Sequence, residues 1–352
     1  MNRLWSDMAR RTEPYIPGEQ LNRPDVIKLN TNENPYPPSP EALDAIRAEA
    51  ARLHLYPSPT AQPLREAIGR TEGLPADHIF TANGSDEVLA FSFMAFFDPG
   101  RTIRFPDITY SFYPVYSKLF DIPFEEVPLR EDFTLDLAGF AGSDGGVILP
   151  NPNAPTGLYE PLAGIREILE SNEDRIVIID EAYIDFAGPS AAELIPEFEN
   201  LLVVRTTSKS RSLAGLRVGY ALGSPDLIEG LIRIKDSFNS YTLDRLAQAG
   251  AAAAFGDPAY FKETTGKIIA TRARSAKRLA ELGFTVLPSS ANFLFCTYPD
   301  RSAASLYTEL KNRNILVRHF GKPRISEYLR ITVGTDAQMD RLFGELEEIL
   351  RK

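Results

Sequence analysis

Three short runs constrain this chain of 352 residues more than anything else in it: Val147-Ile148-Leu149, Ile176-Val177-Ile178-Ile179 and Leu201-Leu202-Val203-Val204. Each is continuously apolar. A strand with one wet face would alternate, so unbroken runs of this length describe strands covered on both faces. Helical patterns lie between them, and alternation of strand with helix gives an α/β fold, a mostly parallel sheet between helices. Ile79-Phe80-Thr81-Ala82 reads as a further short strand, followed by an amphipathic helix through Phe97.

Each run ends at a polar cluster: Asn83–Asp86, Asn151–Gly157, Asp180–Tyr183 and Thr206–Lys209. Open parallel sheets bind ligands beyond the carboxyl ends of their strands. The four clusters are therefore expected along one edge.

The pattern changes after Ile234. An alanine-rich helix over Leu246–Ala254 and a long charged helix over Tyr260–Leu282 come first. Strands are expected at Phe284–Leu287, Asn292–Cys296 and Leu329–Val333, with helices at Ala303–Asn312 and Ala337–Leu350. Three parts result: an arm over 1–40 that packs with the smaller domain, a large domain over 41–240, and a smaller α+β domain over 241–352. The arm is rich in Pro, Asn and Gly, and Val26-Ile27-Lys28-Leu29 reads as a short strand within it.

A net charge of −10 argues against nucleic acid and anionic membranes, which require a basic face. An anionic substrate must then be caught by local arginines. Cys296 is the single cysteine, which excludes an internal disulfide. His54, His78 and His319 are too scattered for a zinc signature, and no metal is expected. No run approaches the ~20 apolar residues of a membrane span, and the start lacks the apolar run of a signal peptide. A cytoplasmic protein is expected.

The richest chemistry lies in Thr206-Thr207-Ser208-Lys209-Ser210, with Arg217 eight residues on. A lysine among small residues is easily desolvated, which favours its nucleophilic form. Hydroxyls with an arginine suit a phosphate dianion. Together they suit a Schiff-base cofactor that carries a phosphate; a serine-rich surface turn is the alternative. Asp180, at the end of a buried run, needs a cationic partner such as a pyridinium nitrogen, unless it caps a helix. Gly84, Ser85 and Asp86 open a helix whose N–H groups fit a phosphate or an ordinary capped turn. Asn151-Pro152-Asn153-Ala154-Pro155-Thr156-Gly157 either reverses the chain or offers an asparagine to a phenolate oxygen. Arg330 and Arg318 are anion clamps or solvated strand residues. Tyr110 and Tyr56 are packing aromatics, or a ring stacked on a cofactor and a hydroxyl on its phosphate.

Taken in order, Leu29-Asn30-Thr31-Asn32-Glu33-Asn34-Pro35, Leu55-Tyr56-Pro57, Asn83-Gly84-Ser85-Asp86-Glu87, Pro155-Thr156-Gly157, Asp180-Glu181-Ala182-Tyr183, Ser208-Lys209 and Leu329-Arg330-Ile331-Thr332-Val333-Gly334-Thr335 resemble the fold-type I pyridoxal-phosphate aminotransferases nearly end to end. Within these the chain is similar to the subfamily that acts on histidinol phosphate. The resemblance implies a homodimer that exchanges an amino group between histidinol phosphate and 2-oxoglutarate, giving imidazole acetol phosphate and glutamate, in histidine biosynthesis. It implies that Lys209 carries pyridoxal 5'-phosphate and shuttles the proton, while Asp180 pairs with the pyridine nitrogen. Tyr183 would bond the phenolic oxygen and Tyr110 stack on the ring. Thr206, Ser208, Arg217 and the Gly84–Asp86 backbone would hold the phosphate, with Tyr56 reaching that of the other subunit. Arg330 and Arg318 would take the substrate's anion, beneath an arm that brings Tyr15 and Asn32. The family commonly has asparagine directly before Pro-Thr-Gly, but Ala154 stands there, which makes Asn153 the nearest substitute. An aromatic-amino-acid aminotransferase and a threonine-phosphate decarboxylase share the pattern. A catalytically silent pyridoxal-phosphate or metabolite sensor is the reading from another class.

Overall fold

The continuous apolar runs become strands because both of their faces are roofed. In the computed structural model, which describes residues 3–15, 18, 19, 21, 23 and 25–351, alternate residues of each run enter different cores. Val147, Leu149, Val177, Ile179, Leu201 and Val203 join one cluster, while Ile148, Ile178, Leu202 and Val204 join the other. At about 2 kcal/mol for each fully buried aliphatic side chain, every run stabilises both layers.

The strands in chain order are β1 (Ile27–Lys28), β2 (Ile79–Asn83), β3 (Ile103–Pro106), β4 (Phe124–Val127), β5 (Gly146–Pro150), β6 (Val177–Asp180), β7 (Leu201–Thr206), β8 (Val218–Gly223), β9 (Thr285–Val286), β10 (Phe293–Thr297), β11 (Ile315–Leu316), β12 (Arg318–His319) and β13 (Leu329–Thr332). Seven form one sheet in the order β2-β8-β7-β6-β5-β3-β4. The sheet is mixed, because β8 runs antiparallel to both β2 and β7 while every other pair is parallel. A strand inverted between two parallel neighbours places its amino end where theirs finish. The carboxyl ends of β2, β5, β6 and β7 therefore share an edge with the start of β8.

The second sheet has the order β12-β13-β10-β9. It packs against the helices Ala303–Asn312 and Asp336–Leu350, the latter fixed by a reciprocal capping box between Thr335 and Gln338. The arm's β1 pairs in parallel with β11, and Asn32 N–H donates to Thr332 Oγ1 at 3.0 Å. The alanine-rich helix, Arg245–Phe255, follows residue 240 but packs on the helices Pro40–Ala50 and Gln62–Glu72 in the core of the larger sheet. Its small side chains permit that approach: a Cβ at Gly250 would stand 2.8 Å from Ile46.

Candidate active site

The edge shared by β2, β5, β6, β7 and β8 is a cleft lined by Ser85, Asp86, Asp180, Thr206, Lys209 and Arg217, among others. The pairs Asn83↔Val218 and Thr206↔Gly219 bring Arg217 beside the first turn of the helix Gly84–Phe96. This junction requires glycine twice. Gly84 has φ +81°, and a Cβ there would lie 2.5 Å from Arg217 Nη2; a Cβ on Gly219 would lie 2.3 Å from Gly84 C and Ser85 N. The unpaired N–H groups of the helix start, the Arg217 guanidinium, and the Thr206 and Ser208 hydroxyls (2.9 Å apart) converge on one end of the cleft. Such a set fits a phosphate dianion. Arg217 Nη2 and the Tyr110 hydroxyl both donate to the Asp86 carboxylate, at 2.9 and 2.8 Å.

Asp180 ends β6 at the cleft floor, 5% exposed. The Tyr113 hydroxyl donates to its Oδ2 at 3.0 Å and Ala182 N–H to Oδ1 at 3.2 Å. Burial pushes its carboxyl up to about 6, against the pull of those two hydrogen bonds. No described cation balances it. A buried carboxylate without a counter-ion is the partner that a protonated pyridine nitrogen lacks. Burial also drives the Tyr113 hydroxyl well above its usual range, so it remains a donor.

Lys209 lies in the turn after β7, between this cleft and a second one. Its Nζ donates to Thr31 O at 3.2 Å. Asn34 Nδ2 donates to the carbonyls of Lys209 and Ser210, at 2.9 and 3.2 Å, so the arm clamps the lysine's backbone. The Tyr183 ring is held edge-on by Phe293, with centroids 5.1 Å apart, and its hydroxyl accepts from Asn32 Nδ2 at 2.9 Å.

The second cleft shares Tyr110, Ala154, Tyr183 and Lys209 with the first and adds Tyr15, Asn32, Arg318 and Arg330. Tyr15 packs on Phe112 at 4.4 Å. Arg318 and Arg330 are paired across β12 and β13. Among the described residues neither has a carboxylate within ion-pair distance, and Arg330 Nε is buried without a partner. Burial lowers the pKa of Arg330. Two adjacent guanidinium groups beside the lysine, one of them with a buried, unpartnered Nε–H, have donors suited to an anion.

Two expected residues lie elsewhere. Asn153 does not line either cleft: its Nδ2 donates to Ile108 O and Thr156 Oγ1, both at 3.0 Å. Ala154 forms the wall instead, so Asn153 braces its own loop and its amide is not turned to a cofactor oxygen. Tyr56 is 79% exposed and stacks on Tyr241 at 4.9 Å, outside this chain's own cleft. Two contributors carried no local pattern: Tyr113 and Arg205. The latter is buried (6% exposed), with Nε on Glu181 at 3.0 Å and Nη1 on Glu72 at 2.8 Å.

A mixed seven-stranded sheet that gathers a lysine, an uncompensated aspartate and a phosphate-sized cradle at one edge is the fold and site of the fold-type I transferases, and its residues fit pyridoxal phosphate: Asp180 for the ring nitrogen, Lys209 for the carbonyl carbon, the cradle for the phosphate. The match to the family aminotransferase class I and II spans residues 24–346, and the chain belongs to that family. It is 55% identical to histidinol-phosphate aminotransferase 1 of Oceanobacillus iheyensis, over 100% of this chain and 99% of that protein. It is 53% identical to histidinol-phosphate aminotransferase of Clostridium acetobutylicum, over 99% and 100%. Among solved structures, histidinol-phosphate aminotransferase of Sinorhizobium meliloti in complex with pyridoxal-5'-phosphate superimposes with TM-score 0.90 and 26% identity, over 100% of this chain and 98% of that one.

Proposed function

We propose that this protein is a pyridoxal-phosphate-dependent aminotransferase that interconverts histidinol phosphate plus 2-oxoglutarate and imidazole acetol phosphate plus glutamate. One observation carries the reading: Lys209 stands between the Asp180 cleft and an arginine pair with no carboxylate partner among the described residues. Relatives of that printed activity at 53–55% identity over the full chain support the substrate.

When bound, pyridoxal phosphate supplies an electron sink that makes the substrate's α-hydrogen acidic. The protein's own groups do the rest. Arg217, Thr206, Ser208 and the Gly84–Asp86 turn would hold the phosphate end. Asp180 would face the ring nitrogen as an anion, because a protonated nitrogen would supply the counter-ion that burial denies it. Lys209 Nζ takes the proton from the α-carbon and returns it as the amino group changes hands. Arg330 and Arg318 receive glutamate's α-carboxylate or the phosphate of histidinol phosphate. Those anions differ in charge but share the oxygen geometry that a guanidinium fork recognises.

Three parts divide this work: the arm over 1–40, a large cofactor domain and a smaller domain that carries the arginines. We assign the alanine-rich helix to the large domain because it packs in that core. The working unit is a homodimer in the cytoplasm. Support for the dimer comes from exposed apolar side chains, Leu53, Leu55, Tyr56, Phe238 and Tyr241, of which Tyr56 and Tyr241 stack on each other. In the dimer Tyr56 would reach the partner's phosphate end.

Steady-state rates with histidinol phosphate, phenylalanine and threonine phosphate test the assignment. A kcat/KM for histidinol phosphate at least ten times that for phenylalanine is expected. Preference for phenylalanine would make this an aromatic aminotransferase, and release of carbon dioxide from threonine phosphate a decarboxylase. Bound cofactor with no amino exchange from any donor would mark a sensor.

A further inference from the structure

The geometry points to a directed hydrogen-bond relay, Thr332 to Asn32 to Tyr183, that turns the Tyr183 proton into the cleft, so that Asn32 is a positioning residue acting through Tyr183. The direction follows from one group that has no choice. The backbone N–H of Asn32 can only donate, and it donates to Thr332 Oγ1 at 3.0 Å. Thr332 is 2% exposed, and its hydroxyl hydrogen has one described acceptor, Asn32 Oδ1 at 3.0 Å. The carbonyl of the Asn32 amide therefore faces Thr332 and its NH2 faces Tyr183 Oη, at 2.9 Å. A flipped amide would leave the Thr332 hydrogen buried without an acceptor, which costs about 1–3 kcal/mol. Tyr183 Oη thus accepts from Asn32, and its own hydrogen is left for a group in the cleft that it lines.

The backbone supports this arrangement. Asn32 is 1% exposed and holds a left-handed φ of 57°, which asparagine tolerates better than most residues. Its carbonyl accepts from Asn292 Nδ2 at 3.0 Å. Thr332 lies two residues beyond Arg330 on β13, so one strand face serves both the arginine pair and the relay. The relay also answers the missing asparagine at Ala154. With no side-chain amide there, donation to a phenolate oxygen falls to Tyr183, and Asn32 makes it a dedicated donor.

This inference rests on the pyridoxal-phosphate reading. A hydroxyl that donates to the cofactor's phenolate oxygen favours the deprotonated form of the lysine-linked cofactor. In holoenzyme, the pH midpoint of the cofactor's absorbance change reads that preference without turnover. Thr332→Val removes the relay's first link and touches neither cleft; Asn32→Asp presents an acceptor where Tyr183 now meets a donor. Both should raise the midpoint by about one pH unit, and Thr332→Ser should restore it. Both should lower kcat about tenfold, with KM for histidinol phosphate changed less than twofold. An unchanged midpoint in the Thr332→Val holoenzyme, or a raised KM with an unchanged midpoint, would overturn the relay. If Thr332→Val does not fold, the Asn32→Asp midpoint decides by the same criterion. A wild-type protein that takes up no pyridoxal phosphate would overturn the functional reading, and the relay with it.

Discussion

Asp180 should destabilise the protein that depends on it. Its carboxyl titrates at about 6 in the cofactor-free fold, against 3.8 for an ordinary aspartate. The unfolded chain therefore releases this proton first. Stability from this group is unaffected below about pH 4, falls as the pH rises from 4 to 6, and levels off above that. At about 1.4 kcal/mol for each pH unit of difference, the loss is about 3 kcal/mol at pH 8. Asp180→Asn removes the charge and keeps both contacts, because the amide oxygen still accepts from Ala182 N–H and the Tyr113 hydroxyl can rotate to accept from the new NH2. Cofactor-free Asp180→Asn should melt roughly 4 °C above wild type at pH 8, given the usual entropy of unfolding for 352 residues. The gain should vanish by pH 4. Calorimetry of both proteins across that range checks it. Equal melting at pH 8, or a gain that persists at pH 4, would refute the argument that burial without a counter-ion sets the state of Asp180. Bound pyridoxal phosphate should reverse the ranking.

Other substitutions test the surroundings. Arg205→Met leaves Glu181 and Glu72 buried without their cation, and should cost about 3–5 kcal/mol in denaturant unfolding at pH 8. Burial already pushes the Glu181 carboxyl up, opposed by Arg205, so without the arginine it protonates more readily and the loss should shrink at pH 5. Gly219→Ala drives a methyl to 2.3 Å from the Gly84–Ser85 backbone; a stability loss of about 1–3 kcal/mol and weaker pyridoxal-phosphate retention in equilibrium dialysis are expected. Arg330→Ala should lower kcat/KM about 100-fold or more for glutamate and histidinol phosphate alike, and Arg330→Lys should recover little, because a point charge lacks the guanidinium fork.

The parts of the fold legible in the sequence were those whose burial is symmetric. Residues 147–149 of β5, 177–179 of β6 and 201–204 of β7 are apolar at every position because both faces are covered, and the polar residues that follow each run marked the ligand edge. β4 (Phe124-Glu125-Glu126-Val127) gave no such signal because it lies at the sheet margin with both glutamates exposed. β3 is short and ends in Pro106. β8 carries glycine at 219 and 223, one of them dictated by close backbone approach to the Gly84 turn, which dilutes the apolar run. At the site, Lys209, Asp180 and Arg217 stood out because each is a charge beside an apolar or small-residue segment. Tyr113, Arg205 and the pairing of Asn32 with Tyr183 did not, since each is defined by a distant partner: 67 residues for Tyr113 with Asp180, 151 for Asn32 with Tyr183, and 133 for Arg205 with Glu72. Ala154 shows the reverse: the sequence departure was visible, but what compensates for it lies on another part of the chain.

The central claim, that Lys209 carries pyridoxal phosphate and exchanges an amino group with histidinol phosphate, is tested most directly by the half-reaction. Purified holoenzyme receives histidinol phosphate without any keto acid, and its absorbance is followed. The long-wavelength band of the lysine-bound cofactor should disappear and return when 2-oxoglutarate is added, while Lys209→Ala shows neither the band nor the exchange. A band that ignores histidinol phosphate, or a Lys209→Ala protein that still turns over, would contradict the account.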